Sequence, residues 1–167
     1  IYFNNIIDNL FIDRNEIKLN KKFFLHHEKN FSYKFEGIPN QNKLFSEKMY
    51  SIFDVDEKFS KENITKKQLD IAASSQKVFE HYIFNILKKN LNKKFSNNLI
   101  LAGGCALNSL ANGKILNQFN DLNLYIPYSP GDSGGAIGSA IMANLYYNKL
   151  IPKNLISPYL GNSYDNE

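Results

Sequence analysis

The sequence predicts an α/β fold, and three observations carry that expectation. Two apolar runs, residues 99–102 and 122–126, each lead into a glycine-rich turn and then into a helix-forming stretch. The interval between them holds one helix, at about 106–118, so strands at about 98–102 and 121–126 are expected to lie adjacent and parallel as a β-α-β unit. A long helical periodicity precedes both.

Taken in order, residues 2–10 read as the tail of a helix. Residues 11–24 place Ile12, Ile17 and Leu19 around the polar break Asp13-Arg14-Asn15-Glu16, which reads as a β-hairpin. His26-His27-Glu28 looks like a metal cluster, but adjacent histidines point to opposite sides of a strand and about 100° apart on a helix, so the segment reads as a surface loop. Phe31, Tyr33 and Phe35 alternate with polar residues as a strand that Gly37-Ile38-Pro39-Asn40 ends, and residues 44–53 read as a helix over the core. Thr65 is placed to cap a helix running to about Leu91, with Leu69, Val78, Phe79, Tyr82, Ile83, Ile86 and Leu87 at helical spacing. Its small residues Ala72, Ala73, Ser74 and Ser75 suit close packing on a neighbouring helix, in preference to a contact of Ser75 or Gln76 with a ligand; His81 reads as an edge residue. After the second glycine turn, Gly134, Gly138 and Met142 fall four apart on one helix face, which lets backbone approach backbone. That helix is expected to end after Tyr147. Residues 1–150 then form the body of the domain, and 151–167, punctuated by Pro152 and Pro158, read as a linker toward a further, C-terminal domain.

Composition bounds the function. A chain of 167 residues, 43% hydrophobic and 14% aromatic, is globular and has a workable core. No apolar stretch reaches the roughly 20 residues that span a bilayer, and no charged-then-apolar leader is present, so no membrane partner and a cytoplasmic setting are expected. Cys105, the only cysteine, excludes an intramolecular disulfide and fits a reducing compartment; it reads as small apolar filler in preference to a nucleophile. The net charge of +4 comes almost wholly from scattered lysines, with Arg14 the only arginine, so no nucleic-acid partner is expected.

The turns carry the chemistry. Glycine admits positive φ and lets a ligand approach without meeting a Cβ. The first N–H groups of a following helix lack internal acceptors, and anions favour that end. Gly103 and Gly104 are therefore candidate nucleotide-binding residues, with Asn108 one turn into the helix to reach a ribose hydroxyl or phosphate. Asp132 would repel a phosphate unless a cation stood between, so it is the candidate ligand to a divalent metal, while Ser133 and Gly134 offer a hydroxyl and an N–H group. The plain alternatives are a tight turn for the glycine pair and a helix cap for Asp132-Ser133. Ligands of open α/β sheets sit beyond the carboxyl ends of the strands, where both turns fall.

The run LILAGGCALNSLANGKIL, residues 99–116, and PYSPGDSGGAIGSA, residues 127–140, preceded by DIAASSQ at 70–76 and followed by SPYLGNSY at 157–164, closely resemble the O-carbamoyltransferases of nodulation-factor and antibiotic biosynthesis. The GG-x-A-x-N and GD-x-G pattern is more distantly similar to the tRNA threonylcarbamoyladenosine synthases. The likeness is specific over about residues 65–165. It implies an actin-like ATPase, or ribonuclease-H-like, fold of which this chain is the second half. It implies ATP and a divalent metal (Fe, or Mg/Mn) as cofactors, and a carbamoyl group passed from carbamoyl phosphate, through carbamoyl-adenylate, to a hydroxyl-bearing small molecule or sugar. By the same likeness Asp132 holds the metal, Gly103, Gly104 and Asn108 bind nucleotide, and Ser133 and Gly134 lie against its phosphates. The family's paired metal histidines and its lysine-bearing G-x-K-V-M-G-L-A-P-Y-G segment do not occur here, so the chain alone is expected to be inactive and to self-associate or to need the missing half of the enzyme. A non-catalytic nucleotide-binding module and a sugar-kinase-like phosphotransferase are the alternative readings.

Overall fold

A computed structural model describes residues 1–28, 33–36, 38–41, 43–55, 63–91, 96–150, 159 and 161–162. The chain divides into two compact units, Ile1–Lys93 and Lys94–Glu167.

The first unit carries α1 (Phe3–Leu10), a 3-10 turn (Lys21–Phe23), β1 (Tyr33–Glu36), β2 (Ile38–Gln41), α2 (Glu47–Phe53) and α3 (Lys66–Leu91). Its core is built from Ile6 and Ile7 of α1, Phe23, Met49 and Phe53 of α2, and Val78 and Tyr82 of α3. The long helix starts as its sequence requires: Thr65 Oγ1 accepts the Gln68 N–H at 3.3 Å, and Gln68 Oε1 accepts the Thr65 N–H at 2.7 Å, a reciprocal cap. Of its four small residues only Ser74 is buried. Its hydroxyl accepts the Tyr2 N–H at 3.1 Å and donates to the Asp70 carbonyl at 2.7 Å, fixing the start of α1 against α3, whereas Ala72, Ala73 and Ser75 are exposed. The cap of α2 is also tied to α3, since Asp54, in the left-handed region at φ 49°, receives Lys67 Nζ on both its carbonyl and its carboxylate at 2.8 Å.

Two expectations change here. Residues 11–24 form a minimal antiparallel pairing in place of a full hairpin ladder: Phe11 bridges to Leu19, the Ile12 N–H donates to the Lys18 carbonyl and the Asn20 N–H to the Leu10 carbonyl, each at 2.8 Å, and the 3-10 turn follows. The break at Asp13–Glu16 is also held from outside the loop: the Tyr82 hydroxyl donates to the Asp13 carbonyl at 3.1 Å, Lys89 Nζ donates to the Asn15 carbonyl at 3.2 Å, and Arg14 pairs with Asp8. The segment Ile38–Gln41 does not end a strand; it is itself one, paired antiparallel with β1 from Tyr33↔Gln41 to Glu36↔Ile38. Phe31 and Gly37 lie outside the described residues. His26 and His27 sit exposed in a turn, as their spacing requires.

The second unit carries β3 (Asn98–Ile100), a 3-10 turn (Gly104–Leu107), α4 (Ser109–Gln118), β4 (Asn123–Tyr125) and α5 (Gly134–Asn148). Strands β3 and β4 pair in parallel, Asn98↔Asn123 to Ile100↔Tyr125, across the α4 connection. Ala106, Ala111 and Ile115 fill the inner side of that connection, with Ile115 fully buried. The fold is thus mixed α/β with two small two-stranded sheets. Residues 151–158, most of the expected linker, lie outside the described residues. No helix among the described residues is long and apolar enough to cross a membrane.

Candidate nucleotide-binding turns

The parallel pairing brings both glycine turns to one place. Beyond β3 the chain continues alongside β4, with the Leu101 N–H donating to the Tyr125 carbonyl at 3.1 Å. Gly103 then takes φ +93°, a left-handed conformation that needs glycine, and its N–H donates to the Pro130 carbonyl at 2.6 Å. That bond ties the first turn to the second. Pro130 is buried, and a Cβ on Gly131 would stand 3.8 Å from the Leu107 side chain, so the two turns also touch through carbon.

The first turn differs from the expected strand-turn-helix. Residues Gly104–Leu107 wind as a 3-10 turn closed by the Ala106 N–H to the Gly103 carbonyl (3.0 Å), and α4 begins only at Ser109. Asn108 is consequently the cap of α4 and not a residue one turn inside it: its Oδ1 accepts the Ala111 N–H at 3.0 Å. Asn112 donates to the Ala106 carbonyl at 2.8 Å and braces the same turn from behind. Cys105, read as small apolar filler, is exposed, and Ala106 beside it is the buried residue of the turn.

In the second turn Asp132 is exposed, and its carboxylate makes no hydrogen bond or ion pair among the described residues. It is neither a cap nor a salt-bridge partner. Ser133 precedes α5 without capping it; its hydroxyl lies 2.5 Å from the Ser129 hydroxyl. Gly134 has a strict steric role, since an added Cβ would collide with the Ser129 carbonyl oxygen. The first N–H groups of α5 are not the open donors that the sequence suggests. Those of Gly134, Gly135 and Ala136 donate to the Gly131, Asp132 and Ser133 carbonyls at 3.0, 3.0 and 3.3 Å. The N–H groups of Gly104, Cys105, Asp132 and Ser133 have no acceptor among the described residues, and neither do those of Ala102 and Gly131. Each turn therefore presents backbone donors, and the second adds one carboxylate and one hydroxyl. Ser129 and Pro130, which hold this arrangement, fall inside the run PYSPGDSGGAIGSA but receive no role from sequence; their only local signal is a serine four residues before Ser133 and a proline before the glycine.

Among the described residues no group of three or more His, Cys, Asp or Glu side chains gathers to hold a metal. Asp132 supplies a single carboxylate, which falls short of the several oxygen or nitrogen ligands that a divalent ion takes. Helix α5 buries no residue: Gly134 alone lets backbone approach closely, at the Ser129 carbonyl, while Gly138 faces open space and Met142 is 62% exposed, so among the described residues the rest of that face packs on nothing.

The family model described as "Carbamoyltransferase N-terminus" matches residues 5–141. The chain is 32% identical to the uncharacterized protein sll1178 of Synechocystis sp. over 99% of its own length and 26% of that protein's. It is 29% identical to nodulation protein NolO of Bradyrhizobium diazoefficiens, over 62% of the chain and 20% of NolO, and 29% identical to nodulation protein NolNO of Sinorhizobium fredii, over 53% and 13%. The chain thus spans about a quarter or less of the length of these curated relatives. No solved structure matches it. With most of its length matched by that model, from within α1 to within α5, the chain belongs to the carbamoyltransferase N-terminus family.

Proposed function

We propose that this chain forms part of the actin-like, ribonuclease-H-like domain of an ATP-dependent O-carbamoyltransferase, which passes a carbamoyl group from carbamoyl phosphate, through carbamoyl-adenylate, to a hydroxyl of a small molecule or sugar. The observation that carries the reading is the bond from the Gly103 N–H to the Pro130 carbonyl at 2.6 Å, which joins two donor-bearing glycine turns in a chain of this family. A triphosphate suits that junction. It is an acceptor-only anion, and the N–H groups of Gly104, Cys105, Asp132 and Ser133 are donors awaiting acceptors.

In this reading Gly103 makes the first turn and Gly104 lets the phosphates approach it. Asn108 holds the turn by capping α4, and Gly134 lets α5 start hard against residue 129. Ser133 adds a hydroxyl donor. Bound ATP supplies the adenylyl group that activates the carbamoyl unit; the chain's own residues bind and orient it. A divalent cation, whether iron, magnesium or manganese, fits Asp132 only alongside ligands from other residues, and no step is assigned to it. That shortfall, with relatives far longer than the chain, supports the view that these 167 residues bind nucleotide weakly and do not turn over by themselves.

Carbamoyl-phosphate-dependent release of pyrophosphate from ATP tests the proposal. A longer family polypeptide carrying this segment is expected to show it and to lose it in Asp132→Ala, while the 167-residue chain shows none. Activity that survives Asp132→Ala in the longer polypeptide would remove Asp132 from the site. Asp132-dependent activity in the chain alone would show that the chemistry needs fewer residues than proposed.

A further inference from the structure

The second turn is held from a residue that the reading above leaves without a role. Ser129 is half-buried and stands directly before the buried Pro130, whose carbonyl receives the first turn. Its own carbonyl lies against Gly134, and its hydroxyl reaches the Ser133 hydroxyl at 2.5 Å. A hydroxyl pair at that distance shares one hydrogen: one oxygen donates it, and the other accepts and keeps its own hydrogen for a different partner. Ser133 is the exposed member of the pair and does not cap α5.

A phosphate oxygen only accepts. A Ser133 hydroxyl facing phosphate must therefore be the donor toward it, and the pair must then run in one direction. We propose that Ser129 is a positioning residue for the nucleotide phosphates: it donates its hydroxyl hydrogen to Ser133 Oγ, so that the Ser133 hydrogen points to a phosphate oxygen, strengthened by the bond it accepts. The inference rests on the nucleotide reading of the second turn and adds to it the residue that sets the donor's direction.

The test is titration of the purified full chain with magnesium ATP and, separately, with adenosine, followed by chemical shifts. Ser129→Thr and Ser129→Val have nearly the same shape and differ by the hydroxyl. The valine variant is expected to bind ATP several-fold more weakly than the threonine variant, with adenosine unchanged. Ser133→Ala is expected to cost about 10-fold in ATP affinity, as for one hydrogen bond to a charged acceptor, and Ser129→Val added to Ser133→Ala is expected to cost nothing more. Should the valine variant fail to fold, Ser129→Ala against Ser129→Thr makes the same comparison. Equal ATP affinity in the variants with and without the hydroxyl would overturn the inference, as would a loss shared equally by adenosine, which marks a merely structural role. Those results, with Ser133→Ala still impaired, leave the nucleotide reading standing. An unimpaired Ser133→Ala would remove Ser133 from the site and overturn the inference, and no saturable response of the unsubstituted chain to ATP would remove the reading itself and the inference with it.

Discussion

Substituting Gly134 by alanine should destabilise the second unit, although glycine-to-alanine changes in helices ordinarily do the reverse. The new Cβ would collide with the Ser129 carbonyl oxygen and stand 3.5 Å from its carbon. That carbonyl has no easy retreat, because the next residue, Pro130, is fastened to Gly103 and the Ser129 hydroxyl to Ser133. Overpacking of this kind costs about 1–3 kcal/mol, against a helix-propensity gain of up to about 1 kcal/mol, so a net loss of about 1–2 kcal/mol is expected. For a unit of this size each kcal/mol is worth about 4–8 °C in Tm. Two other glycines calibrate the scale. Gly138→Ala, on the same helix with nothing within 4 Å, should gain about 0.5–1 kcal/mol. Gly103→Ala, equally uncrowded but held at φ +93°, should lose about 1–2 kcal/mol to backbone strain alone. Thermal unfolding followed by far-ultraviolet circular dichroism, with amide exchange to assign the transition to residues 94–167, measures all three. A Gly134→Ala chain that melts at or above the parent temperature would refute the reasoning, since the Ser129 carbonyl would then yield at no cost and the second turn would not be braced.

Asn108→Ala should lower the stability of the same unit by about 1 kcal/mol through loss of the α4 cap, whereas Asn108→Ser keeps a capping oxygen and should lose only a few tenths; urea unfolding separates the two, and equal losses would show that the Oδ1 bond to Ala111 is not what matters. In the first unit, the hydrogen bond and charge of Lys67 hold the Asp54 carboxyl below its usual 3.8, and the same bond raises Lys67 above its usual 10.5. The pair's charge-dependent contribution is therefore complete between those values, lost as pH falls through the lowered carboxyl value and lost again as pH rises through the raised amine value; the deficit of Lys67→Met against the parent chain should shrink from neutral to strongly acid pH to what the Asp54 carbonyl bond alone supplies, and a constant offset down to pH 2 would contradict this. The exposed apolar helix α5, which has no charged residue and leaves Met142, Tyr146 and Tyr147 62–78% exposed, should drive concentration-dependent self-association in sedimentation velocity, and a chain that stays monomeric at millimolar concentration would count against it.

How much of this could be read beforehand depended on whether the determining contacts were local. The parallel β3–β4 pair was legible because its signals sit inside the segment: two apolar runs, a helix-length interval and glycines at both exits. The start of α3 was legible for the same reason, Thr65 and Gln68 being three apart. The hairpin expected at residues 11–24 is reduced to a single antiparallel bridge, Phe11 to Leu19, and its loop is fastened by Tyr82 and Lys89, which lie about 70 residues away in sequence and leave no mark on the loop itself. The likeness to carbamoyltransferases was evident from about residue 65 onward, yet the family match begins at residue 5. In residues 5–64 core positions such as Ile6, Ile7, Met49 and Phe53 need only apolar character, which many sequences satisfy, and the segment holds no glycine pattern that few do. At the site, the glycines announced where backbone must turn or approach, but not what they approach. Gly103 answers to its own φ, Gly134 to the carbonyl of Ser129, and Gly104 and Gly135 to nothing within the chain. Open space at a glycine is shared by Gly113 and Gly138 on helix surfaces, so it is only together with the N–H groups of its turn that Gly104 enters the proposal of a nucleotide there.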